Sequence, residues 1–517
     1  MSLYLGDHKF GVGLSCGEEG ILHAANRLLE MKGQCKLDFH AWYLDDGTIA
    51  GDSMEVAKAL SIIQAEGSSR GVHLNVRKTE LFCPCVDPRS QDDRVFQANI
   101  GVKMLGGTVS CNLQFCSDLV KHKIDKTLQL MESVKQLHDP QSEFLLLRSC
   151  AGVSNLYFNM RTTQPDSLQQ IISSYDRPLV QFLQHIVIRD GAGFGLIQQR
   201  IAMLPMKDGG LGVHTMEDTR KYCFLSSYCQ MRNLQEVILN LPPDSEPSLI
   251  FQHALSQFMQ VCGLSSFNIN TFATRPMKSL EIQYFEVVKK DMPSKFVMSE
   301  RDTILWKSNR LDHAQDYLKA IPICGLNQTL GPRQFRAVVS YRLGVHIFNT
   351  IDGCACCKRK MDVYGDHALH CASEVGIKFR HDFVRDVISD IFYKAGVAAR
   401  KEVNLGLSSD DGKDLKPVDI LVYNWVNGQD FYFDVTGVSP FASINGRTFV
   451  PGVAISNAIS RKRAKYLDKV STHGYGFGVL AFSTLGQLSE DMVFILKRLR
   501  NCIANYDLNY KIGNSLF

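Results

Sequence analysis

A chain of 517 residues can build several hydrophobic cores, and 45% hydrophobic with 21% charged residues excludes pervasive disorder. The net charge of +4 is only mildly basic, so nucleic-acid binding is permitted but has to rest on local patches. Sixteen cysteines, no basic-then-apolar leader in MSLYLGDHKFGVG and no apolar run of ~18 residues lead us to expect reduced thiols, a nuclear or cytoplasmic location and no membrane.

Residues 1–115 read as mixed α/β. Within them Trp42-Tyr43-Leu44-Asp45-Asp46-Gly47 sets apolar residues around two adjacent acids and continues into Thr48-Ile49-Ala50, which predicts a hairpin with the acids at its tip. Such a pair can hold divalent metals for phosphoryl transfer, whereas a solvated Asp-Asp-Gly turn is the plain alternative. Residues 116–235 are expected to be mostly helical, from the spacing of Leu128, Met131, Val134 and Leu137 and the apolar run 144–147. Leu241-Pro242-Pro243-Asp244 marks a linker, and helices continue to about Val345.

Cys354-Ala355-Cys356-Cys357 and Asp366-His367-Ala368-Leu369-His370-Cys371 follow. Cys354 and Cys357 can aim two thiolates at one ion, and His367 and Cys371 share a face of a helical turn, giving a closed Cys3His set for structural zinc. Cys356 and His370 are alternative ligands.

Next, Phe379, Phe383, Val387, Ile388 and Ile391 mark an amphipathic helix with Arg380-His381-Asp382 on its polar side. Two β-rich runs, Lys416-Pro417-Val418-Asp419-Ile420-Leu421-Val422-Tyr423 and Phe431-Tyr432-Phe433-Asp434-Val435-Thr436, flank Asn427-Gly428, a type I′ hairpin signal. A turn centred on Asn427-Gly428 sets Asp434 opposite Leu421, so Asp419 becomes its diagonal neighbour at about 7–8 Å on the same face. Two acids there are costly without positive charge between them, and a divalent metal fits. Glu402, ahead of the first strand, is a further acid. Lys462, Lys465 and Lys469 line one helical face beside Tyr466; a solvated face or a DNA-backbone contact is the plain reading of each. A strand at 476–482 and a helix at 489–503 complete an α-β-β-α-β pattern.

Taken in order, these motifs resemble the C-terminal part of a non-LTR, LINE-like retrotransposon polyprotein. Asp45-Asp46 resembles the Tyr-x-Asp-Asp motif of reverse transcriptases. Gly71-Val72-His73-Leu74-Asn75-Val76-Arg77-Lys78-Thr79-Glu80 is similar to the palm motif whose lysine, here Lys78, lies near the incoming nucleotide. Lys103-Met104-Leu105-Gly106-Gly107 is similar to the primer-grip strand, where Gly106 and Gly107 let backbone approach the primer. Leu204-Pro205 with Gly209-Gly210-Leu211-Gly212 resembles a signature found after the thumb, and Phe10-Gly11-Val12-Gly13 with Ile21-Leu22-His23 the fingers motif.

The Cys/His cluster resembles the CCHC knuckle that precedes the endonuclease of such elements. Asp419 and Asp434 resemble the acids of a PD-(D/E)xK nuclease, although Val418 separates Pro417 from Asp419 and Thr436 stands at the lysine position. Lys462 or Lys465 would then be the migrated lysine that positions water. Arg380-His381-Asp382 is similar to the Arg/Lys-His-Asn/Asp motif ahead of that nuclease core, in DNA contact or catalytic support.

The resemblance implies five parts: truncated fingers and palm (1–115), a helical thumb-like region (116–235), a helical linker region (236–345), the zinc knuckle (346–375) and a restriction-like endonuclease domain (376–517). The fold class it implies is multidomain α/β and α, with a partial right-hand palm and a C-terminal α/β nuclease domain. It implies RNA-directed DNA polymerase ancestry, Mg²⁺ at Asp45-Asp46 and at Asp419 with Asp434, target DNA and element RNA as partners, and no small-molecule cofactor. The family's third palm acid lies well upstream of the Asp-Asp pair, and only 44 residues precede Asp45. Asp38, seven positions earlier, falls on the opposite face of an extended segment. No polymerisation by this chain alone is expected. The alternative is a non-catalytic nucleic-acid-binding relic of a mobile element, or a domesticated host factor.

Overall fold

The computed structural model describes residues 16–31, 37–43, 46–71, 73–83, 96–98, 100–189, 191, 193–268, 275–323, 325, 328–348, 353–371, 374–404, 406, 418–443 and 449–506. Residues 10–13, Val72, Asp45, Lys416 and Pro417 lie outside them, as does the side chain of His370. The mixed α/β chain divides into two units of interleaved segments, the first being Met1–Gln136, Leu146–Phe182 and His214–Met292 and the second Leu137–Leu145, Leu183–Val213 and Pro293–Phe517. No described helix is long and apolar enough to cross a membrane.

In the first unit, helix α1 (Gly17–Glu30) turns Ile21, Leu22, Ala24 and Ala25 toward Ala41, Val109 and Ile238. Strands β1 (Leu37–Tyr43) and β2 (Asp46–Gly51) pair antiparallel, with Tyr43 opposite Asp46 and Trp42 opposite Gly47. A Cβ at Gly47 would stand 2.6 Å from the Trp42 ring, so any larger residue there needs that ring to move. Asp52 caps α2 (Ser53–Glu66) by accepting from Met54 N–H. Strands β3 (Glu80–Phe82) and β4 (Phe96–Ala98) are parallel; β5 (Val102–Met104) and β6 (Gly107–Val109) are antiparallel. Among the described residues these strands make three two-stranded pieces and no single sheet.

The buried stripe of α3 (Leu113–Lys135) runs Cys116, Val120, Ile124, Thr127, Met131, Val134. Leu137, expected on that stripe, lies beyond the helix and is exposed. Helix α4 (Met216–Ile238) packs on α1, where His23 Nε2 lies 2.8 Å from Ser227 Oγ beside the Phe224 and Tyr228 rings. Burial pushes the His23 pKa down to about 4.

The second unit contains the Leu204-Pro205 and Gly209-Gly210-Leu211-Gly212 signature as a tight loop. Leu211 N–H donates to Ala202 O (3.0 Å) and Gly212 N–H to Leu204 O (2.9 Å). Helix α5 (Glu300–Asn309) sends Trp306 Nε1–H to Asp208 O at 2.9 Å, and α6 (Pro332–Leu343) sends the buried Arg342 guanidinium to Gly210 O at 3.2 Å and Ala314 O at 2.8 Å. Asp208 O and Gly210 O of the loop are thus satisfied by side chains.

After the short helix α7 (Asp366–His370) come α8 (Glu374–Lys394), β7 (Ala399–Val403), β8 (Val418–Val426), β9 (Gln429–Val438), α9 (Val453–Ser471), β10 (Gly476–Ser483) and α10 (Glu490–Tyr506). The sheet order is β10-β9-β8-β7, with β10 parallel to β9 and the other pairs antiparallel. Ile388, Phe392, Leu499 and Ile503 of α8 and α10 bury one face against Ile420, Val422, Phe433 and Val435. From α9, Tyr466 and Val470 cover Val418, Leu421 and Tyr432.

Three expectations need correction. Of the five apolar positions that marked α8, Ile388 is buried and Ile391 packs against the core, but Phe379, Phe383 and Val387 are exposed (71%, 62% and 42%), because the sheet takes the Ile388–Phe392–Ala395 side. Glu402 lies within β7, not ahead of the first strand. The hairpin register also differs. Asn427 and Gly428 have the positive φ values of a type I′ turn (51° and 83°), and Val426 pairs with Gln429. A bulge then intervenes, with Asn424 at φ 50° and its N–H on Asp430 Oδ1 (2.8 Å), and pairing resumes at Val422 with Phe431 and Ile420 with Phe433. Two extra residues on β8 move the register by two, so its continuation sets Asp434 opposite Asp419 itself rather than opposite Leu421.

Candidate active site and metal centre

Asp362 builds the Cys/His centre locally, its carboxylate accepting from the N–H groups of Tyr364 (3.0 Å), Asp366 (3.0 Å) and His367 (2.6 Å). That starts α7 and turns His367 toward the thiols. Potential ligand atoms of Cys354, Cys357, His367 and Cys371 all lie within 4.8 Å of one another. Cys354 Sγ is 3.7 Å from Cys371 Sγ, and Cys357 Sγ is 3.2 Å from His367 Nε2. A tetrahedral ion with Zn–S of ~2.3 Å has S···S edges of ~3.8 Å, so the sulfur spacing fits. N–H groups of Cys357 and Cys356 directed at Cys354 lower its pKa to about 6, favouring the thiolate a metal needs. The set could bind a metal such as zinc. Cys356 is exposed and outside the four.

Arg301 anchors this centre, gripping the Asp366 carboxylate at 2.9 and 3.0 Å with its guanidinium carbon 4.0 Å above the Tyr364 ring and 5.0 Å from that of Phe441.

The second cluster forms where the β8–β9 ladder ends. Beyond Ile420, the Asp419 carboxylate accepts the Val435 N–H at Oδ2 (2.7 Å) in place of a backbone carbonyl. The same oxygen lies 3.1 Å from His381 Nε2, and His381 Nδ1 lies 3.2 Å from Asp382 Oδ1. Hydrogen bonds to Asp419 and Asp382 raise the His381 pKa and favour imidazolium.

Asp434 is 4% exposed, and burial raises its pKa. The Lys462 ammonium opposes that, donating to Oδ1 at 2.9 Å and standing 2.7 Å from Oδ2, a buried oxygen that receives no aligned hydrogen bond. Lys465 is exposed and turns to Tyr466 Oη (3.0 Å). Of the two lysines, only Lys462 reaches an acid of this cluster. Arg380 donates to Ala368 O (2.8 Å).

Sequence reasoning overlooked Arg385, which is 7% exposed and holds Asp382 Oδ1 at 3.1 Å, Asp386 Oδ1 at 3.1 Å and Glu402. Its three- and four-residue offsets from Asp382 and His381 were the available signal.

In the first unit, Asp46 and Lys78 are exposed, Lys78 at the end of a 3-10 turn Val76–Lys78. Leu105 and Gly106 (φ 50° and 83°) make the β5–β6 turn. Gly107 is buried under Leu22, whose Cδ1 would stand 2.6 Å from a Cβ, so packing within the fold explains this glycine. Compared with models of known families and with curated proteins, the chain matches none.

Proposed function

We propose that the chain is a retrotransposon-derived protein of reverse-transcriptase ancestry whose C-terminal part cleaves DNA phosphodiesters with a divalent cation such as Mg²⁺. The observation that carries this reading is the β8–β9 register that sets Asp419 opposite Asp434, with Lys462 on one acid and His381 on the other. Two buried carboxylates offer hard oxygen donors of the kind Mg²⁺ takes, and this supports a divalent cation beside the charges of Lys462 and His381. Such a cation supplies Lewis acidity toward a phosphoryl oxygen and makes bound water more acidic. Asp419 and Asp434 would hold it, Lys462 would orient water beside Asp434, and His381 would keep Asp419 oriented.

The Cys354, Cys357, His367, Cys371 set supports a structural zinc, because four protein donors leave no position for substrate. The order of Asp45-Asp46, Lys78 and Gly106-Gly107 along the sequence supports polymerase ancestry, with element RNA and target DNA as partners.

Nicking of supercoiled plasmid in Mg²⁺ tests the reading. Asp419→Ala and Asp434→Ala should each lose at least ~100-fold in rate, on the scale of removing a group that stabilises transition-state charge. Equal nicking by wild type and both variants refutes the assignment. A wild type that binds DNA without nicking favours a non-catalytic relic, a reading that has in its favour an ammonium already covering both oxygens of Asp434.

A further inference from the structure

Metal-ligating carboxylates depend on neighbours that fix which oxygen faces the ion. In this chain an unbroken line of polar contacts leads from Arg385 through Asp382 Oδ1 and His381 to Asp419 Oδ2. Both ring nitrogens of His381 are engaged, Nδ1 by Asp382 and Nε2 by Asp419. Each ring nitrogen thus faces a carboxylate, which places the ring between the two acids as a bridge. Asp419 Oδ2 is likewise committed, to His381 and to Val435 N–H. Its Oδ1, which no described residue engages, is the oxygen left for a cation.

We propose that Arg385 is a positioning residue for this site, acting through Asp382 and His381 to hold Asp419 with Oδ1 presented to a divalent cation. The inference rests on the nuclease reading above. Arg385 suits the task because its guanidinium is 9% exposed and bridges two elements, gripping Asp382 and Asp386 on α8 and Glu402 on β7. Glu402 has φ 50° inside a strand, a conformation that non-glycine residues rarely adopt. The clamp thus joins the helix carrying His381 to the strand beside Asp419, the register 403 with 418 and 401 with 420 setting Glu402 opposite Asp419. Between Arg385 and His381, Asp382 is a link whose amide isostere keeps shape and loses charge.

The test is Mn²⁺ binding by the full-length, zinc-loaded chain without DNA, read by electron paramagnetic resonance, with plasmid nicking measured alongside. Asp419→Ala should abolish the Mn²⁺ site. Asp382→Asn and Arg385→Ala should each weaken Mn²⁺ binding about 10-fold or more, in the range seen for outer-shell partners of metal ligands. Arg385→Lys should recover part of the affinity, since an ammonium can still hold one of the acids. If Arg385→Ala fails to fold, judged by circular dichroism, Asp382→Asn decides. Affinity within twofold of wild type for Asp382→Asn, and for Arg385→Ala where it folds, with Asp419→Ala still abolishing binding, overturns the proposal and leaves the nuclease reading standing. Mn²⁺ binding that responds to these variants in a chain that never nicks DNA supports the positioning line and removes the nuclease reading. Wild-type binding indifferent to Asp419→Ala overturns both.

Discussion

Replacing Lys462 by methionine keeps most of the stem's apolar packing and removes the charge that faces Asp434. The carboxylate is 6% exposed, and the ammonium meets both of its oxygens. A hydrogen bond between charged groups contributes about 1.5–3 kcal/mol, and breaking a buried pair costs about 3–5 kcal/mol. Because the lysine side chain is 32% exposed, water screens part of the interaction, and about 2–3 kcal/mol is the appropriate figure. Hydrogen exchange followed by mass spectrometry on peptides covering β8 and β9 reads this as local opening, without assuming that two units unfold together. A loss of 2–3 kcal/mol should speed exchange of protected amides such as Val435 N–H by roughly 30- to 150-fold. Adding Asp434→Asn to Lys462→Met should restore most of the protection, since the neutral amide no longer needs a counter-charge. Exchange within threefold of wild type in Lys462→Met, or full additivity of the two substitutions, would refute the buried-pair argument.

Cys371→Ser should release zinc from the purified chain, measured by elemental analysis, while Cys356→Ser retains it, because only the former belongs to the clustered set. Gly210→Ala should cost about 3 kcal/mol or more in thermal or denaturant unfolding of its unit, since the new Cβ runs into Leu204 O and comes within 2.6 Å of Ile201 O. A cost below about 1 kcal/mol there means the loop can shift. His23 gives a pH signature. Its folded pKa, held near 4 by burial, lies below the ordinary 6.5, so the neutral ring contributes stability above pH 6.5 that is lost as pH falls toward 4. His23→Gln abolishes that titration and should lose about 2 kcal/mol less than wild type between pH 7 and 5 in chemical denaturation. Parallel pH profiles for the two proteins would contradict it.

Local geometry explains what was legible. The Cys354, Cys357 and His367, Cys371 offsets and the Asn427-Gly428 reversal depend on backbone periodicity and on φ, which a few consecutive residues set by themselves. So do β10 and the existence of α8, α9 and α10. Tertiary packing decided the rest. The bulge at Asn424 brought Asp419 opposite Asp434, and a bulge is a property of strand pairing rather than of either strand. Lys462 and Lys465 are equivalent by helical spacing; the way α9 buries Tyr466 and Val470 on the sheet puts the turn bearing Lys462 over Asp434. Of the apolar stripe Phe379, Phe383, Val387, Ile388 and Ile391, only the Ile388 and Ile391 end met the sheet, because amphipathic spacing gives a periodicity without fixing how far along and around α8 a partner is found. The contact of His381 with Asp419, 38 residues apart, exists only once helix and sheet have met.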